Sequence, residues 1–98
     1  MIEMTGPPGE SVVLKVGGGS DPRAVGSSIA HSLAEGKNVQ LRAVGAAAVN
    51  QSAKAIAIAS GWTAPRGYGL AAVIGFADVP GREEGTTISA ITMRLIRT

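Results

Sequence analysis

Cysteine is absent from the 98-residue chain, which excludes disulfides and thiolate metal sites. Histidine occurs once, as His31. A single imidazole with no cysteine and no carboxylate at ligand spacing does not make a metal site, so His31 reads as part of a helix face. Aromatics are few: Trp62, Tyr68 and Phe76 stand singly and apart, with no visible cluster on which bases would stack. No apolar run reaches the ~18 residues that a membrane span needs. The opening MIEMTGPPGE carries neither a basic n-region nor an apolar h-region, so no secretion signal is expected and a cytoplasmic location follows. The phosphate-loop pattern G-x-x-x-x-G-K-[ST] is missing. GYGLAA, from Gly67 to Ala72, imitates a dinucleotide fingerprint but precedes a strand rather than a helix. No nucleophile motif surrounds the serines or His31. The expectation is a non-enzyme with no cofactor, no metal and no small-molecule substrate.

What is present is small and apolar. Hydrophobic residues make up 45% of the chain and there are 14 glycines, enough for a folded core with closely approaching backbones. The length suits one domain. Its core would be thin, which makes oligomerisation a natural supplement. The net charge of +2 and a pI of about 9.5 lean weakly toward anionic partners, and an oligomer would concentrate that charge.

Residues Met1 to Gly9, with TGPPG, read as a flexible tail, and 10–98 as the domain. Glu10 to Val16 is a β-branched run of strand length, with Val12, Leu14 and Val16 on one face and Val13 and Lys15 on the other. Three glycines then turn the chain; Ser20 or Asp21 can cap a helix and Pro22 suits its first turn. Helix one is expected from Pro22 to Glu35, with Val25, Ile29 and Leu33 as its core stripe and Gly36 just past its end. Strand two spans Asn38 to Val44. Helix two begins after Gly45 and is expected to end at Gly61, followed by the loop WTAPRGYG. Strand three covers Leu70 to Val79, PGREEG turns, and strand four covers Thr86 to Arg97. The order β-α-β-α-β-β predicts a two-layer α/β domain: a mixed four-stranded sheet with both helices on one face.

Gln40 to Leu70 reads QLRAVGAAAVNQSAKAIAIASGWTAPRGYGL. Within it A-[IV]-G-A-x-A-x-N-Q (Ala43 to Gln51), K-A-x-A-I-A (Lys54 to Ala59) and G-x-x-A-P-x-G (Gly61 to Gly67) resemble the signature of the stage V sporulation protein S family. Leu14 to Val16, Ser20 to Ala30, Phe76, Asp78 and the acidic turn with Glu83 and Glu84 also fit. The resemblance implies an Alba-like fold, because that family shares the β-α-β-α-β-β order of the dimeric Alba chromatin proteins. It also implies RNA or DNA binding by a homo-oligomer linked to sporulation. The chain departs from the family pattern at Ser60, where a basic residue is usual, at Ala47, where glycine is usual, and at Arg42, where alanine is commoner. Positive charge thereby moves from the end of helix two to the end of strand two.

The residues expected to contact nucleic acid are Arg42, Lys54, Asn50, Gln51, Arg23 and Lys15. Arg42 comes late in strand two, and Asn50 and Lys54 share a face of helix two. Amides at the helix start favour an anion there. Asn50 and Gln51 serve equally well as hydrogen-bonding partners of the turn or of another subunit. GGGSDPR, Gly17 to Arg23, is a second strand-to-helix loop at the carboxyl ends of the parallel strands, where ligands gather; it reads equally as a capped tight turn. PGREEG, with Glu83 and Glu84 beside Arg82, reads as a solvated turn. Helix two is apolar almost all round, which predicts a self-interface, in a homodimer or tetramer. The competing functional reading is a non-catalytic protein-interaction scaffold, for which the modest charge suffices.

Overall fold

The computed structural model describes residues 10–98; the expected tail, Met1 to Gly9, lies outside the described residues. The alternation in SVVLKV becomes strand β1, Ser11–Val16. Asp21 caps helix α1, Pro22–Ala34, its carboxylate accepting the Arg23 amide at 3.0 Å. Proline occupies the first turn, where its missing N–H costs nothing. Gly36 leaves the helix at φ +80, a conformation that side chains with a Cβ disfavour. Strand β2 is Asn38–Ala43, and helix α2 runs Ala46–Thr63. Strands β3, Leu70–Pro80, and β4, Thr87–Arg97, form the expected hairpin.

Helix α2 passes through Gly61 instead of stopping there, and a further 3-10 turn covers Ala64–Arg66. The physical stop comes later. Pro65 cannot continue the backbone hydrogen bonds, and Gly67 reverses the chain at φ +95. Glycine at 61 carries only the modest cost of its propensity.

The sheet order is β1-β2-β4-β3. β1 and β2 are parallel, and β4 is antiparallel to both of its neighbours. The last strand is therefore inserted between β2 and β3, and the sheet is mixed as expected. Both helices pack on one face of it. Val39, Leu41 and Ala43 of β2 and Met93 and Leu95 of β4 point into that layer, against Ile29 and Leu33 of α1 and Ala55 and Ala59 of α2. Each fully buried branched side chain contributes about 1.5–3 kcal/mol. The helices meet closely at Gly26, where an added Cβ would lie 3.0 Å from Ile58 Cγ2 and 3.1 Å from the Ala55 carbonyl oxygen. Polar groups inside α2 are satisfied locally: the buried Ser52 hydroxyl donates to the Ala48 carbonyl at 2.9 Å.

Candidate nucleic-acid interface

Side chains alternate across a sheet, so the register assigns each strand residue to the helix-covered face or to the open one. Leu41 pairs with Met93 on the covered face, which places their neighbours Gln40, Arg42, Thr92 and Arg94 on the open one. Extending the pairing across all four strands gives two rows on the open face: Val13, Gln40, Arg94 and Val73, then Lys15, Arg42, Thr92 and Gly75. Three cations thus share one face. Asp78 is the sole carboxylate within the four strands, and its pairing with Ser89 puts it on the other face.

One end of this basic face is recessed. Lys15 and Gly17 from one edge of the sheet, Arg42 and Val44 from its middle, and Val79 and Pro80 from the other edge line a single opening of about 480 Å³. The opening lies beside the Lys15–Arg42 pair, at the end of the sheet where β1 and β2 finish. Arg42 Nε is buried and has no hydrogen-bond partner among the described residues. A buried guanidinium nitrogen left unpaired loses its hydration without compensation, so the position suits an anionic acceptor entering the opening.

The other expected contacts lie elsewhere. Arg23 and Lys54 are brought together in the helix layer, where they line a shallow cleft of about 450 Å³ that also contains Asp21. The carboxylate reduces the attraction of that cleft for anions. Arg42 and Lys54 do not converge on one phosphate, because Arg42 points out of the uncovered side of the sheet and Lys54 sits on an exposed face of α2. Asn50 is exposed. Gln51 has a structural partner: its side-chain amide donates to the Ser20 carbonyl at 2.9 Å, tying α2 to the loop before α1. The start of α2 has Gly45 at φ +92 as its cap and no side-chain hydrogen bond to its free amides.

A sequence model of stage V sporulation protein S matches residues 12–98. The chain belongs to the stage V sporulation protein S family. In this family member the basic face includes Arg94, which is not among the contacts expected from the sequence. The alternation of Thr92, Arg94 and Ile96 was visible, but nothing in it told that β4 would lie beside β2. Arg97 is spent on structure, its guanidinium lying 4.4 Å over the Tyr68 ring and donating to the Leu33 carbonyl. Lys37 is also occupied, 3.1 Å from Glu35. The hydrogen bond that Lys37 donates to the Glu35 carboxylate, then the charges of Glu35 and Glu10, raise the Lys37 pKa above its usual value. Among the described residues no three histidines or carboxylates gather to hold a metal, and no helix is long and apolar enough to cross a membrane.

Proposed function

We propose that this stage V sporulation protein S family member is a non-catalytic, cytoplasmic nucleic-acid-binding regulator of sporulation or development, acting as a homo-oligomer. The observation that carries the reading is the open sheet face with Lys15, Arg42 and Arg94, recessed beside the first two, and no strand carboxylate beside them. Phosphates laid along that face would meet three cations, and Arg42 Nε would gain the acceptor it lacks. Phosphate contacts position a strand without reading its sequence, so both RNA and DNA fit.

The test is a salt titration of fluorescent-oligonucleotide binding for wild type, Arg42→Ala and Lys54→Ala. Arg42→Ala is expected to weaken binding to all sequences alike. It should also reduce the slope of log affinity against log salt by about 0.7–0.9 for each phosphate no longer neutralised. Lys54→Ala, in the helix layer beside Asp21, is expected to change less. An unaltered slope in Arg42→Ala rejects the open face. If wild type fails to bind even at low salt, the interaction-scaffold reading takes over, and the exposed Phe76 and Ile74 become its natural contacts.

Self-association has two sources of support. Several outward positions of α2, Ala46, Ala47, Ala53 and Ala57, are small and apolar, which lets a second helix approach closely beside the exposed Asn50 and Lys54. The larger apolar exposure lies on the hairpin, where Phe76 is 79% and Ile74 59% accessible in the single chain. Single chains leave few such side chains in water next to one another without a partner. Light scattering at micromolar concentration is expected to give a dimer or tetramer mass; a monomer mass sinks this part of the proposal.

A further inference from the structure

The helices touch at Gly26 and leave a cavity of about 290 Å³ between their last turns. Ala30, His31 and Ala34 of α1 line it on one side; Trp62, Arg66 and Tyr68 line it on the other. The space exists because the α1 side is built largely of alanine. Three flat rings thus surround one small opening. Trp62 remains 45% accessible there, a costly exposure for an indole unless something covers it.

The polar groups narrow the choice of ligand. The His31 Nδ1 lies 3.0 Å from the Ser27 carbonyl oxygen. A carbonyl only accepts, so Nδ1 carries the hydrogen, and neutral His31 offers Nε2 as an acceptor. Tyr68 brings a hydroxyl that makes no hydrogen bond among the described residues, and Arg97 packed over its ring fixes the ring's orientation. An acceptor and a rotatable hydroxyl beside stacking rings suit the edge of a planar heterocycle. The carboxyl ends of both helices lie nearby, and their partial negative charge disfavours an anion inside the cavity. Arg66 is exposed, so it can meet an anion attached to the ring outside the cavity. The volume is at the small end for ligand sites, which limits the occupant to about one ring system.

We infer that this cavity binds a nucleobase, stacked on Trp62 and donating a ring or amino hydrogen to His31 Nε2. The base comes from a free nucleoside or from an unpaired residue of a strand; the second source rests on the nucleic-acid reading above. Such a site adds base contacts on the helix side to phosphate contacts on the sheet side.

Trp62 is the one tryptophan of the chain, so its emission reports the cavity directly. The experiment titrates the protein with adenosine, with a single-stranded oligonucleotide and with the same oligonucleotide made abasic. Saturable quenching by adenosine and by the intact strand is expected, with weaker quenching by the abasic strand. His31→Ala should weaken adenosine binding by about threefold to tenfold, the effect of one hydrogen bond. Trp62→Ala, followed by anisotropy of a labelled strand, should cost the intact strand about tenfold or more in affinity and leave the abasic strand nearly unaffected. Salt-dependent binding of both strands with equal affinity and no change in emission would overturn the base site while leaving the phosphate reading intact. Quenching by adenosine that never saturates, or that is the same in His31→Ala, would overturn it too. Saturable adenosine binding without any strand binding would support the site with a free nucleoside as its ligand and reject the nucleic-acid reading. Absence of both responses overturns both.

Discussion

Replacing Gly26 with leucine is expected to lower the melting temperature by about 10–20 °C, or to prevent folding at ordinary temperatures. Even a bare Cβ at this position would lie 3.0 Å from Ile58 Cγ2 and 3.1 Å from the Ala55 carbonyl oxygen. The isoleucine methyl can rotate away, but the carbonyl belongs to the backbone of α2 and moves only with the helix. Leucine adds three more carbons in the same direction. The two helices must then separate, and Ala55 and Ala59 lose their packing against Ile29 and Leu33. Overpacking of this kind costs about 1–3 kcal/mol and sometimes more, against a total stability of about 5–15 kcal/mol for a domain. The gain in helix propensity on removing a glycine offsets less than about 1 kcal/mol of that. Gly26→Ala sets the same propensity gain against a smaller intrusion and is expected to stay within about 1 kcal/mol of wild type. Thermal unfolding followed by circular dichroism measures all three proteins. A melting temperature for Gly26→Leu within a few degrees of wild type would mean that the helices do not meet at this residue.

Removing the cations of the open face together, in the triple variant Lys15→Ala, Arg42→Ala and Arg94→Ala, is expected to abolish detectable nucleic-acid binding. Losing three positive charges takes the chain from a net charge of +2 to −1. Hydrogen bonds to charged groups contribute about 1.5–3 kcal/mol each, so deleting three of them amounts to about a thousandfold or more in affinity. The salt slope should fall by about 2 to 3 in total. Folding should survive, because Lys15 and Arg94 are exposed and Arg42 Nε has no partner to lose. Retained affinity in a variant whose circular dichroism matches wild type would transfer the binding site to another surface. The cluster of Arg23 and Lys54 would be the next to neutralise.

The architecture was legible because its signals are local. Asp21, Pro22 and Gly36 bracket α1 within a few residues of its two ends, and Val39, Leu41 and Ala43 alternate where β2 forms. Helix α2 overran its expected end because Gly61 looks like a stop to any local rule, whereas Pro65 and Gly67 act a turn later. The site was only partly legible. The sequence puts Lys15 in β1 and Arg42 in β2, where the structure has them, but grouping Arg42 with Lys54 required both to face one way. Which face a strand residue takes depends on parity, and which neighbours it meets depends on strand order. Arg94 joined Arg42 only once β4 was seen beside β2. Gln51 illustrates the converse: its partner, Ser20, lies 31 positions away in the chain, and no local pattern reveals such a bond.

The insertion of β4 between β2 and β3 also governs how the chain is completed as it is made. The ribosome produces β1, α1, β2, α2 and β3 before the strand that joins the two halves of the sheet. Until then Leu41 and Val39 lack Met93 and Leu95, and one edge of β2 presents unpaired backbone groups to whatever strand arrives. Open apolar edges of this kind recruit other chains. The nascent protein therefore passes its most association-prone stage just before the fourth strand emerges, and at that stage a neighbouring copy's strand competes with its own.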